Sequence, residues 1–152
     1  MKHLPLILLA LALGLTSCLD NPSMDLDNED DIAFLEENAQ REGVTVTDSG
    51  LQYRVIEEGE GESPELGSEV RVHFIGTLID GQVFDSTYED DEPIQFFVRE
   101  TIPGFAEGLT LMNEGAVYEL VIPAELAYGN FQVGVIHPGA TLIVELELLE
   151  IL

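Results

Sequence analysis

The 152-residue sequence is poor in the groups on which several large classes of function depend. Basic residues are scarce: five Lys and Arg stand against 30 Asp and Glu, a formal net charge of −25. Nucleic-acid binding needs clustered Lys and Arg to neutralise phosphates, so DNA and RNA are excluded as partners. The same deficit excludes an electrostatic hold on anionic lipid. Cys18 is the single cysteine. It rules out an internal disulfide framework and a cysteine-based zinc site. Tryptophan is absent. His73 and His137 share no ligand spacing, so no metal site is expected. There is no G-x-S-x-G elbow and no phosphate-cradling Gly-rich loop. No apolar run reaches the roughly 20 residues of a membrane-spanning helix.

What is present begins with an address. Lys2 precedes an apolar run of 12 residues, Leu4 to Leu15, which suits the hydrophobic stretch of a secretory signal. The run ends in Leu15-Thr16-Ser17-Cys18, which resembles a bacterial lipobox, where the cysteine is lipidated and becomes the new N-terminus. Residues 1–17 are therefore expected to be a lipoprotein signal peptide and Cys18 the lipidation site. Lipidation also consumes a thiol that would otherwise stand free in an oxidising compartment. The expected location is outside the cytoplasm, anchored in the lipid bilayer of a bacterial cell membrane on its periplasmic or cell-surface side. Residues 18–31 are the lipidated Cys and an acidic tether with too little apolar surface to fold. The tether lacks the spaced ligands and Gly of a calcium loop. Lys2 is the only lysine beside Arg41, Arg54, Arg71 and Arg99. So few cations among so many carboxylates point to a surface adapted to salt.

Residues 32–48 read as a short helix and lead-in. The helix is expected over Ile32–Glu42, between Asp31 and Gly43, with Ile32, Leu35 and Ala39 on one face. From Val44 the period becomes two. Leu51, Tyr53 and Val55 alternate with polar neighbours, as do Val70, Val72 and Phe74, and both runs predict strands. Asp80-Gly81 is a hairpin signal. Ile94, Phe96 and Val98 predict another strand. Pro103 opens a short helix with Phe105, Leu109 and Met112 on one face, closed by Gly115. Val117–Ile122 predicts a strand, and Leu142, Val144, Leu146 and Leu148 the inward face of the last one. The fold class is α+β, with a mostly antiparallel sheet packed on one short helix.

The segments VRVHFIGTLIDGQVFDST, TIPGFAEGLTLMNEG, IPAELAYG and HPGATLIVELELLEI resemble, in order and spacing, the FKBP-type peptidyl-prolyl cis–trans isomerases. The resemblance covers residues 49–152. It implies a twisted antiparallel half-barrel wrapped around one short helix. It also implies isomerisation of X-Pro bonds in proline-containing polypeptide clients, assisting the folding of exported proteins without a cofactor, metal or covalent intermediate. A tacrolimus-type macrolide is the implied small ligand.

Carried onto this sequence, the family's site makes Phe84, Asp85 and Tyr128 the catalytic set. Phe74, Phe96, Ile102, Phe105, Val135, Ile136 and Val144 are the substrate-binding residues. Phe105, Phe84 and Val144 would hold the proline ring, Phe74 and Ile136 would wall it, and Tyr128 and Asp85 would contact the twisted amide. The backbone amide at Ile102 corresponds to one that binds a ligand carbonyl. Three positions depart from the family: Phe74 stands where Tyr is usual, Phe105 where Trp is usual, and Val144 where Phe is frequent. These departures imply weaker turnover or weaker macrolide binding. They leave a second reading, a low-activity or inactive module that binds proline-containing segments as a chaperone or adaptor.

Overall fold

A computed structural model describes residues 28–152. The expected signal peptide, Cys18 and residues 19–27 of the tether lie outside the described residues. Among the described residues no helix is long and apolar enough to cross a membrane.

Helix α1 spans Glu29–Ala39. Strands β1 (Val44–Val46) and β2 (Gln52–Glu57) follow, then β3 (Glu69–Thr77), β4 (Val83–Ser86) and β5 (Ile94–Phe97). Helix α2 (Pro103–Leu111), β6 (Val117–Ile122) and β7 (Leu142–Ile151) complete the chain. All strand pairs are antiparallel, in the order β1-β2-β6-β7-β3-β4, with β5 also paired to β3. The two long central strands, β3 and β7, carry the period-two signal most fully. Val70, Val72 and Phe74 are sealed on the inner face, as are Leu142, Val144, Leu146 and Leu148. Asp80-Gly81 turns β3 into β4, and Gly81 takes a left-handed φ of +89°.

Helix α2 lies on the concave inner face. Pro103 starts it, where a missing N–H costs nothing. The helix ends at Leu111, short of Gly115, yet Phe105, Leu109 and Met112 all point into the core at 0% exposure. Its close approach to β6 needs Gly104, where a Cβ would come within 2.4 Å of Ile122 Cγ2.

Helix α1 departs from expectation. It begins at Glu29, so residues 29–31 are helical and not part of the tether. Three acidic residues in the first turn, Glu29, Asp30 and Asp31, favour this earlier start at the positive end of the helix dipole. The packed face is also different. Ile32 is 48% exposed, while Asp31 and Asn38 are buried. The reason is that α1 lies on the outer face of the sheet, not on the apolar core. Asn38 Nδ2 donates to Gln52 Oε1 at 2.8 Å, and Gln52 Nε2 donates to the Leu35 carbonyl at 2.9 Å. Gln52 and its cross-strand partner Val121 both belong to the outer face, yet both are buried under this helix.

Candidate functional site

The aromatic residues expected to form the site converge above α2. Phe105, one turn into that helix, meets the ring of Phe74 edge-on at 5.6 Å between centroids and 82° between planes. Phe96 from β5 lies 5.9 Å from the Phe105 ring. Ile102, at the helix start, and Val144, on β7, complete a floor in which Phe74, Phe105, Ile102 and Val144 are fully buried. Phe84 covers this floor from β4. Its ring lies over Gly76 of β3, where any Cβ would sit 2.3 Å from the ring carbon Cζ. Only a glycine there permits that placement.

The accessible part of the set is its rim. Phe84 and Tyr128 keep 8% and 7% exposure, and Asp85 is half-buried. Tyr128 stands at the start of the flap, an excursion over residues 129–139 between the 3-10 turn Ala124–Leu126 and β7. Burial, and next the negative charge of Asp85, push the Tyr128 hydroxyl well above its ordinary value. Tyr128 therefore stays protonated through the physiological range and keeps a proton to donate. Asp85 Oδ1 accepts the Ser86 N–H at 2.9 Å, which orients the carboxylate on its strand.

The flap residues divide. Ile136 is sealed at 1% exposure, but Val135 is 47% exposed and stands at the outer rim. Val133, which the sequence did not single out, takes the inward place. It forms a tight bridge with Ile136, with reciprocal N–H to carbonyl bonds of 3.0 and 2.9 Å. An alternation of Val133 and Val135 was visible in the sequence, but not which of them faces inward. Phe131, 56% exposed on the same flap, is a second residue the sequence reading passed over. Its signal was an aromatic in a Gly-flanked loop.

Thr87 is a third. Its buried hydroxyl accepts the Phe74 N–H at 2.9 Å and bonds His73 Nδ1 at 2.8 Å. This ties the segment following Asp85 to the strand that carries Phe74. His73, which shares no ligand spacing with His137, is thus held inside the fold. It is 9% exposed, capped by the ring of Tyr88 stacked at 4.7 Å. Among the described residues no cluster of His, Cys, Asp or Glu is arranged to hold a metal ion. A cavity of about 460 Å³ between Asp30, Asp31, Leu78, Asp80 and His137 shares no residue with the expected site.

A half-barrel of antiparallel strands around one short helix, with an aromatic floor and a Tyr–Asp rim, defines a class. The chain belongs to the FKBP-type peptidyl-prolyl cis-trans isomerase family, whose model matches residues 60–149. Residues 23–55 match the model of the domain amino terminal to such isomerases. Among particular relatives, the chain is 55% identical over 122 residues to an FKBP-type 22 kDa peptidyl-prolyl cis-trans isomerase of Escherichia coli, covering 80% of this chain and 59% of that protein. It is 45% identical over 120 residues to the outer membrane protein MIP of Legionella longbeachae, covering 78% of this chain and 52% of that one. The chain thus spans between half and three fifths of these relatives' lengths. The crystal structure of FkpA from Escherichia coli superposes with a TM-score of 0.79 at 43% identity, covering 82% of this chain and 59% of that one. A peptidyl-prolyl cis-trans isomerase from Pseudomonas syringae gives 0.77 at 29% identity, covering 85% and 98%.

Proposed function

We propose that this chain isomerises X-Pro bonds in polypeptides outside the cytoplasm. The observation that carries the reading is the meeting of Tyr128 and Asp85 at the rim of an apolar aromatic floor. A prolyl bond crosses a barrier of about 20 kcal/mol because twisting it breaks amide resonance. It therefore isomerises over tens of seconds unaided. An apolar site disfavours the polar planar amide relative to the twisted one, and grips the proline ring. Phe84, Phe105 and Val144 hold the ring, with Phe74, Phe96, Ile102 and Ile136 as walls and Val135 at the edge. The Tyr128 hydroxyl donates to the rotated carbonyl. The Asp85 carboxylate, beside Tyr128, faces the twisted amide. No proton needs to be transferred and no bond to the protein needs to form.

Exchange NMR on a short X-Pro peptide with residues 19–152 tests the reading. Faster cis–trans exchange is expected, with kcat/KM lowered about tenfold in Asp85→Ala and in Tyr128→Phe. Peptide binding without faster exchange would replace the enzyme by the proline-segment receptor, which the substitutions at Phe74, Phe105 and Val144 favour. Those substitutions also weaken tacrolimus-type macrolide binding in this reading.

The chain is further proposed to be exported, cleaved before Cys18 and held at the membrane by a lipid on that residue. The supporting features are the apolar run before Leu15-Thr16-Ser17-Cys18 and a relative whose name places it in an outer membrane. Incorporation of labelled fatty acid that disappears in Cys18→Ser is the expected result; label retained in that variant overturns the anchor.

A further inference from the structure

Helix α1 runs along the outer face of the sheet and ends against the flap. One end is fixed on β2 by the Asn38–Gln52 pair. The other meets residues 137–141, the leg by which the flap descends into β7. Asp31, in the first turn of α1, is 3% exposed. Its Oδ1 accepts the backbone N–H of Thr141 at 2.7 Å, and its Oδ2 lies 2.9 Å from His137 Nε2. Asn28, just before the helix, presses on Gly139 of the same leg, where a Cβ would lie 3.1 Å from the Asn28 Cβ. Burying a carboxylate is costly unless its oxygens are bonded, and both oxygens of Asp31 are spent on the flap leg. None is spent on capping its own helix.

The leg matters because of what precedes it. Ile136, sealed against the aromatic cluster, is the residue next to His137. Among the described residues the flap's backbone bonds are local, among them the Gly139 N–H to Gly129 carbonyl bond at 2.8 Å and the Val133–Ile136 bridge. These bonds shape the loop. The burial of Ile136 holds the loop on the core, and the contacts of Asp31 hold its leg.

We propose that α1 is a strap that sets the position of the flap, with Asp31 as a positioning residue for binding the client proline. The inference rests on the reading of the site given above. Asp31 touches no substrate; it acts through His137 and Thr141 on Ile136 and Val133. Releasing it frees a wall of the pocket that contributes equally to ground-state and transition-state binding. KM should therefore rise while kcat holds.

The test uses the full chain and an X-Pro peptide, well below the unfolding midpoint. Asp31→Ala is expected to raise KM about fivefold with kcat within about twofold of the unsubstituted chain. His137→Ala should raise KM in the same direction. His137 is half-exposed, so this variant carries the test if Asp31→Ala does not fold. His137→Gln, which restores an N–H donor to Asp31, should return KM toward the original value. The double variant Asp31→Ala/His137→Ala should be no worse than Asp31→Ala alone, because His137 acts on the strap only through Asp31. A folded Asp31→Ala or His137→Ala chain with a lower melting temperature and unchanged KM overturns the strap and leaves Asp31 merely structural. Peptide affinity is measured alongside by titration. If the unsubstituted chain binds without turnover, the isomerase reading fails while Kd takes the place of KM and still decides the strap. A chain that neither binds nor turns over overturns both.

Discussion

Folding changes the acid–base chemistry of Tyr128. In the unfolded chain its hydroxyl ionises near its ordinary value of 10.0; in the fold, burial and then Asp85 hold it higher. The native state therefore keeps a proton that the unfolded state gives up. Such a group contributes nothing variable below about pH 10, and stability falls as pH rises above it, toward the higher native value. Unfolding followed by denaturant between pH 9 and 12 should show this loss. Tyr128→Phe should flatten it. An identical alkaline slope in both proteins would assign the loss to other tyrosines. Phe105 gives a second expectation at this scale. It is fully buried and ringed by Phe74 and Phe96. Installing the tryptophan usual in the family overpacks this site, and Phe105→Trp should cost about 1–3 kcal/mol of stability. A gain in melting temperature would mean that space for the larger ring already exists.

Among the elements, α2 shows packing prevailing over propensity. Gly104 in a helix costs roughly 1 kcal/mol relative to Ala. Its place is explained by the Ile122 methyl, 2.4 Å from where a Cβ would stand. Gly104→Ala should recover the propensity and lose more to overpacking, for a net destabilisation of about 1 kcal/mol. Chemical denaturation of the two proteins measures the difference; a stabilised variant would show that α2 can lift away from β6 at little cost. The same helix was legible in the sequence because Pro103 marks its start and Phe105, Leu109 and Met112 recur at helical spacing. The strands β3, β6 and β7 were legible for the equivalent reason at period two. Helix α1 was misread in its start and its packed face. Period and capping rules presume that the apolar side of a helix faces the core. Here the helix docks on a polar outer face through Asn38, Gln52 and Asp31, so Ile32 is left in solvent. The strand β2 shows the same effect, since Gln52 is buried only because α1 covers it.

Over the whole molecule the dominant feature is charge. Arg41 and Arg54 both reach Glu119, and Arg71 pairs with Glu150. These exposed pairs are worth at most about 1 kcal/mol each. They leave most of the 30 acidic residues in the sequence without a basic partner, since only five Lys and Arg are available. Self-repulsion of this size weakens the compact state and is screened by salt, with a Debye length falling to about 3 Å at 1 M. The melting temperature should rise by at least about 5 °C between 10 mM and 1 M KCl. A midpoint insensitive to salt would sink the idea of a surface adapted to brine. The same charge should favour Lys-flanked over Glu-flanked proline peptides at low ionic strength, and the preference should fade as salt is added.

The sequence by itself determined the fold class, the order of the strands and α2, and the residues proposed for the site. Hydrophobic period, breaker residues and the ordered motifs around Phe84-Asp85, Phe105 and Tyr128 are local patterns, and each survives being read along the chain. Only the tertiary structure decided which flap valine turns inward, why His73 is covered, and where α1 docks. The valine is set by the local Val133–Ile136 bridge, and the other two depend on polar contacts between residues well separated in the chain. Asp31 with His137 and Thr141 spans more than 100 positions. Thr87 with His73 joins two sides of a hairpin. A hydrogen bond between distant residues leaves no period in a sequence, because its partners are chosen by the packing that brings them together.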